Sequence, residues 1–218
     1  MSDIMQTGFS ATDTKVFVIG ANKTGTTSLG DFLKRAGFQL GDQLTAEKLM
    51  DQWATRNWTP ILEYCKSGNA FQDLPFSLDY TYCVLDAAFP GSKFILSRRE
   101  SADKWVTSYL NHLRRTVGSD QLSYDVLYNF TNNHPKGWLV YNIETIFGWD
   151  PKVPFDEAFL KAWYERRNQE IRFYFRSRSD DFLELNIDRD NKEDVLCDFL
   201  GLDGLVELGH LNSSPQKV

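Results

Sequence analysis

Short apolar runs alternate along the chain with longer stretches in which apolar residues return every three or four positions. The runs predict strands at residues 16–20, 70–73, 93–97 and 182–187. Helical spacing fits residues 26–36, 45–53, 59–66, 78–89, 102–116, 156–176 and 192–200. This alternation is the pattern of a parallel sheet covered on both faces by helices, an α/β fold. In the long late helix, Phe159, Leu160, Trp163, Tyr164, Ile171 and Tyr174 recur at helical spacing and form the expected core face. Asp156 and Glu157, just after Pro154, suit the positive end of that helix. Residues 118–154, rich in Asn, Gly, Pro and aromatics, are the least regular part. No repeat, low-complexity stretch or linker divides the chain, so a single domain over residues 1–218 is expected, with an N-terminal arm at residues 1–14.

Composition narrows the class. A chain of 218 residues that is 42% hydrophobic can bury a full core. Its three cysteines, Cys65, Cys83 and Cys197, lack C-x-x-C spacing, which argues against a disulfide framework or zinc site and for buried free thiols. The opening Met1-Ser2-Asp3-Ile4-Met5-Gln6 does not read as a signal peptide, and no apolar run approaches membrane-spanning length; a cytoplasmic protein is expected. A net charge of −6 disfavours a general nucleic-acid binder. A local basic pocket in such a body suits an anionic small molecule.

The segment after the first predicted strand supplies that pocket. Gly20-Ala21-Asn22-Lys23-Thr24-Gly25 forms a glycine-bearing turn, and a helix opens on Thr26, Thr27 and Ser28. Backbone N–H groups left free in a first helical turn converge on an anion, and the helix dipole favours negative charge there. Thr26 and Thr27 add hydroxyl donors and Lys23 a full charge, so the turn reads as a cradle for phosphate or sulfate. It fits the Walker pattern G-x-x-x-x-G-K-S/T except that Thr26 fills the lysine slot and the lysine lies three residues earlier. A lysine inside the loop suits a nucleotide with one 5′-phosphate and a single further group. The later strand Phe94-Ile95-Leu96-Ser97-Arg98-Arg99 also lacks the terminal aspartate that would hold Mg²⁺ in a nucleoside triphosphatase. The plain alternative is a tight strand-to-helix turn with a solvated lysine.

Arg98 and Arg99 lie at the carboxyl end of their strand, the crevice where open α/β sheets bind ligands. A guanidinium fork gives phosphate two parallel charge-assisted bonds. The ordinary reading pairs both arginines with Glu100 and Asp103 at the surface.

At these residues the chain resembles the sulfotransferases that use 3′-phosphoadenosine-5′-phosphosulfate (PAPS), whose 5′-phosphosulfate loop reads P-K-S-G-T-T. Here it is Asn22-Lys23-Thr24-Gly25-Thr26-Thr27, with Asn for Pro and Thr for Ser. The family's second element is a strand ending in arginine, followed by a helix with a serine about eight residues on, which together hold the 3′-phosphate. The resemblance assigns Arg99 to the arginine and either Ser108 or Thr107 to the serine, because one extra residue precedes Trp105. Asp73-Leu74-Pro75 resembles the D-x-P segment of a bacterial-type subfamily, 163–172 its late helix, 182–187 its last core strand and 197–201 the helix after it. The tail Gly209-His210-Leu211-Asn212 resembles a terminal stretch that closes over the nucleotide. The resemblance implies a P-loop NTPase-like architecture, PAPS as donor, 3′,5′-adenosine bisphosphate (PAP) as product and no metal.

A mechanism follows. Lys23 is placed to offset charge growing on the departing phosphate, while the amides of Thr24 to Thr27 and the hydroxyls of Thr26 and Thr27 hold oxygens. The acceptor hydroxyl needs a base. Asp73 ends a predicted strand on the site side and is the first candidate, its alternative being a turn-forming aspartate; His112, His134 and His210 are weaker ones. Tyr124, Tyr128, Phe130, His134, Trp138, Tyr141, Phe147 and Trp149 either line an acceptor pocket or form the core of an extra helical layer. A small-molecule or glycan acceptor, bearing a hydroxyl or amine, is expected. Two other classes stay open: a nucleotide kinase or NTPase with an atypical loop, and a catalytically silent nucleotide-binding module.

Overall fold

The computed structural model describes residues 14–132, 134–148, 150, 155–202, 204 and 206–208. Four strands, β1 (Val16–Val18), β2 (Ala70–Phe71), β3 (Lys93–Arg98) and β4 (Phe182–Asn186), form one all-parallel sheet in the order β2-β1-β3-β4. All four lie where the apolar runs predict them. The period-2 alternation of a strand splits their side chains between two cores. Phe17, Ile19, Phe71, Phe94 and Leu96 enter one cluster; Val16, Val18, Ala70, Ile95 and Leu185 enter the other.

Helices cover both faces. On the first face lie α3 (Met50–Ala54), α4 (Trp58–Tyr64) and α5 (Thr81–Ala88), with the end of α9 (Glu157–Phe175), whose Ile171 and Phe175 are buried there. On the second face lie α1 (Thr26–Arg35) and α10 (Lys192–Leu200), through Leu29, Phe32, Leu33 and Leu196. The α/β expectation therefore holds. One expected helix, residues 45–53, is instead two short ones, α2 (Gln43–Glu47) and α3. Asp42 caps α2 by accepting from Thr45 N at 2.9 Å, which starts that helix earlier than its apolar spacing suggests. The helix expected from residue 78 begins at Thr81, behind the left-handed Tyr80.

A third cluster stands beside the sheet's carboxyl end. It joins α6 (Ala102–Val117), α7 (Tyr124–Asn129), α8 (Trp138–Phe147) and the first half of α9. Trp105 sits at its centre, its ring 4.5 Å from that of Tyr164 and nearly parallel to it. The irregularity expected for residues 118–154 is corrected here. Ser123 caps α7 by accepting from Val126 N, and left-handed Gly148 ends α8. Leu127, Leu139, Val140, Ile143 and Phe147 are buried between these helices and their neighbours, so apolar packing overrides a loop-like composition. Residues 149, 151–154, the expected arm up to residue 13 and the tail 209–212 lie outside the described residues.

In the long helix, Leu160, Trp163, Tyr164 and Ile171 are buried as expected, but Phe159 is 39% exposed, one position off the packed stripe. Asp156 caps α9 by accepting from Ala158 N and Phe159 N. No described helix is long and apolar enough to cross a membrane. The cysteines are free; Cys65 and Cys197 are buried and Cys83 is partly so.

Candidate active site

In the strand order β2-β1-β3-β4 the chain reverses direction across the sheet between β1 and β3. Their carboxyl ends open the crevice where such sheets receive ligands. The turn after β1 is braced from every side. A Cβ on Gly20 would stand 2.1 Å from Ser97 Oγ on β3, so only glycine allows that approach. Thr24 is fully buried: its hydroxyl donates to Ala21 O at 2.6 Å and lies 2.7 Å from Ser97 Oγ. Its backbone N–H also turns inward, to Ala21 O. Thr24 thus serves the loop's shape with both groups. Trp105 Nε1 donates to Asn22 O at 2.9 Å, and Ser77 Oγ to Asn22 Oδ1 at 3.1 Å. From α9, the buried guanidinium of Arg167 donates to Ile19 O and Ser77 O, both at 2.6 Å, and pairs with Asp79 at 3.3 Å.

The turn itself is shaped for an anion. Lys23 (φ 72°) and Gly25 (φ 81°) are both left-handed, a backbone form that gathers N–H groups into a concavity. Gly25 precedes α1 and offers no side-chain cap, so the first N–H groups of α1 point outward at the positive end of the helix. Thr26 is buried at the start of α1, and Thr27 is exposed beside it.

Lys23 and Asp73 border this crevice, close enough for their charges to interact. Four non-glycine residues among those described have positive φ, and two of them are Lys23 and Asp73 (φ 61°). A side chain in that region strains the backbone and persists where the surroundings fix it. Burial lowers the pKa of the Lys23 ammonium, Arg115 and Arg99 lower it further, and Asp73 alone opposes them. Its Nζ lies 3.4 Å from His112 Nδ1. Burial, Lys23 and Arg115 hold the His112 imidazole down at about 4. The ring is therefore neutral near pH 7, and an Nδ1 that accepts from the ammonium leaves its proton on Nε2. Asp73 behaves oppositely. Burial and the charge of Glu47 push its carboxyl up to about 6, against the hydrogen bond from Leu74 N, Lys23 and the Asn22 side chain. Of the two groups, the carboxylate is the better-matched base for neutral pH.

The arginine end differs from the surface pairing that the sequence suggests. Glu100 pairs with Lys104 and Asp103 with Lys161. Arg98, the last residue of β3, pairs with Glu184, which also holds Arg172 at 2.8 Å. Arg99 pairs through one terminal nitrogen with Asp188 Oδ1 at 2.9 Å, while Asp188 Oδ2 accepts from Glu100 N at 2.8 Å. Arg99 Nε is buried with no hydrogen-bond partner among the described residues. Tyr164 OH accepts from Arg99 N at 3.0 Å. On α6, Ser108 is half-buried one turn before His112, on the face that meets Lys23. Thr107 is exposed, about 140° around the helix from His112.

Beyond Lys23 a cavity of about 200 Å³ opens between the β1 turn, the segment after β2, and α6, α8 and α9. Asn22, Asp73 and His112 stand in its wall, and Trp105, Tyr109, Phe130, Trp138, Phe147 and Trp163 supply most of the rest. The aromatics of the former irregular segment thus divide: some face the cavity and others pack as core. His134 stacks on Trp138 with ring centroids 3.6 Å apart and pairs with Glu47 at 3.1 Å, so it flanks the cavity rather than facing Lys23. His210 lies outside the described residues.

Sequence reasoning missed Glu47, Arg167 and Asp188. Only Arg167 left a readable signal, a charge set four residues from both Trp163 and Ile171 in the apolar stripe of a helix.

A search of curated proteins returns no match. A family profile described as Sulfotransferase domain matches residues 15–204, from the residue before β1 to beyond α10, and includes every residue of the crevice named above. The chain belongs to the sulfotransferase-domain family.

Proposed function

We propose that this protein transfers a sulfuryl group from PAPS to a hydroxyl of a small acceptor held in the aromatic cavity. The observation that carries the reading is the meeting of Lys23, neutral His112 and Asp73 where the anion-shaped turn opens onto that cavity. The turn's residues fit the donor: the left-handed Lys23–Gly25 backbone, an uncapped helix start and an ammonium whose neighbours include two further cations favour a phosphosulfate. When bound, PAPS supplies an SO₃ unit activated by its link to phosphate.

The roles then follow from chemistry. Thr26, Thr27 and the first N–H groups of α1 hold phosphate and sulfate oxygens, Asn22 keeps the turn against Ser77 and Trp105, and Thr24 braces it from within. Arg99 with Ser108, rather than Thr107, would take the 3′-phosphate, since Ser108 shares the face of α6 that meets Lys23. The unpaired Nε of Arg99 supports that role. Asp73 takes the acceptor's proton as its oxygen bonds sulfur. Lys23 stabilises the electron pair left on the phosphate oxygen as the S–O bond breaks.

Thermal shift separates this reading from the others. A ligand at 100 times its Kd adds about 2.7 kcal/mol of stability. PAP should stabilise the protein more than AMP or Mg·ATP does. A preference for Mg·ATP would favour a kinase or NTPase instead. PAP binding with no sulfated product across a panel of phenols, alcohols, amines and sugars would indicate a silent binding module.

A further inference from the structure

One residue of the cavity wall holds a buried polar atom with no hydrogen-bond partner among the described residues. Asn142, on α8, is 4% exposed and lines the cavity. Its Nδ2 donates to Trp138 O at 2.7 Å, which fixes the amide's orientation because that carbonyl can only accept. The other amide atom, Oδ1, is buried with no hydrogen-bond partner among the described residues. Unsatisfied buried acceptors are rare in folded proteins, and one in a cavity wall marks where a ligand's donor belongs.

We infer that the acceptor is a compact, neutral one- or two-ring phenol or alcohol carrying a second hydrogen-bond donor, which Asn142 Oδ1 receives in the cavity wall. Three observations narrow the class. A volume of about 200 Å³ is below the roughly 300–1,000 Å³ of drug-sized sites, which suits a compact body within the cavity over a glycan chain or long lipid. Walls of Trp105, Phe130, Trp138, Phe147 and Trp163 favour an apolar body over a sugar. Among the described residues, the acidic side chains in the wall are the carboxyls of Asp73 and Glu47, which repel an anionic acceptor. A site that must satisfy a buried carbonyl rejects an otherwise identical ligand lacking the donor. The inference rests on the sulfuryl-transfer reading only for which hydroxyl reacts.

Isosteric pairs test it in the absence of any donor nucleotide. Calorimetry on the intact chain would compare 4-alkylphenols with the analogues in which the terminal methyl is a hydroxyl, for side chains of two to four atoms. A purely apolar cavity prefers the methyl compound at every length. At the length that reaches Asn142 the hydroxyl compound should bind roughly 3–10-fold tighter, the range for one neutral hydrogen bond to a buried acceptor. Asn142→Leu should reverse that preference. If the methyl compound binds equally or better at every length, or if neither series binds, the inference is wrong. The wild-type comparison decides even if the variant folds poorly. Binding with the expected preference but without turnover would instead count against sulfuryl transfer, so the two failures are distinct.

Discussion

The turn after β1 and the turn after β3 lie side by side at the sheet's reversal point, yet they hold their cations in opposite ways. Lys23 meets a neutral imidazole, and Arg115 and Arg99 depress its pKa, so positive charge accumulates there against the cost of burial. Arg99 is already answered by Asp188, and it is partly exposed. A concentrated, poorly answered charge gains most from an incoming anion, because the interaction replaces nothing. A paired guanidinium must share or exchange its partner, so it contributes selectivity more than raw affinity. On the proposed function, the first turn is therefore the place for chemistry and the second the place for recognition.

The sharpest way to break this contrast is Lys23→Ala. It should lower kcat about 10²–10³-fold, as for loss of one group that answers developing charge. Steady-state turnover checks it; a variant as active as wild type would place the chemistry elsewhere.

Asp73→Asn comes next, with a loss of roughly 10²-fold in kcat/KM and a change in pH profile. With its carboxyl raised to about 6, Asp73 is ionised above that pH, and its proposed role as base requires wild-type activity to fall as pH drops below 6. The variant should lack that limb. Stability moves the other way. A carboxyl whose folded pKa is raised favours the fold when protonated, and that stability is lost as pH rises from the unfolded value through the folded one. Asp73→Asn should therefore raise Tm at pH 8, and the gain should shrink towards pH 4, read by thermal melts across that range. A profile and a Tm difference that are both flat with pH would remove Asp73 from the base role.

Why the first turn was so much more legible than the second is itself physical. Strand β1, the turn and α1 form one contiguous segment, and its glycine, lysine and threonine spacing encodes an anion site locally. The sheet was equally readable, because Val16–Val18 and Phe94–Leu96 are apolar on both faces. The environment of Arg99 depends on Asp188, which follows β4 far along the chain, and no local pattern announces that pair. Asp73 was readable as a residue at a strand's end, but its raised pKa comes from Glu47 on α2 and from burial, both tertiary effects. Residues 118–154 misled through composition, although Ser123 and Gly148 stood at cap positions. Arg167 could have been found as a charge in an apolar stripe, but not the carbonyls it holds.

Arg99→Ala tests recognition at the second turn. Loss of a charge-assisted fork should weaken PAP binding about 10–100-fold while leaving AMP affinity nearly unchanged. Calorimetry with both nucleotides measures the difference, and equal losses would mean that Arg99 shapes the turn rather than reads a phosphate.

The smallest effect is the most discriminating. Asp188 puts a carboxylate 2.9 Å from the guanidinium that is proposed to bind a phosphate, and its second oxygen ties down Glu100 N. It either competes with the ligand or aims the arginine. The geometry favours competition: Arg99 Nε is buried with no hydrogen-bond partner among the described residues, and the backbone at Arg99 and just before it is already fixed by Tyr164 and by the sheet. Asp188→Asn keeps an oxygen for Glu100 N but removes the negative charge. It should tighten PAP binding about 3–10-fold, because one repulsive charge is lost at a partly solvated site. The gain should vanish in the Arg99→Ala background, since the two residues touch and their effects are coupled. Weaker binding in Asp188→Asn would show that Asp188 aims Arg99. The two turns would then differ in how they hold their cations, but not in what those cations can offer an anion.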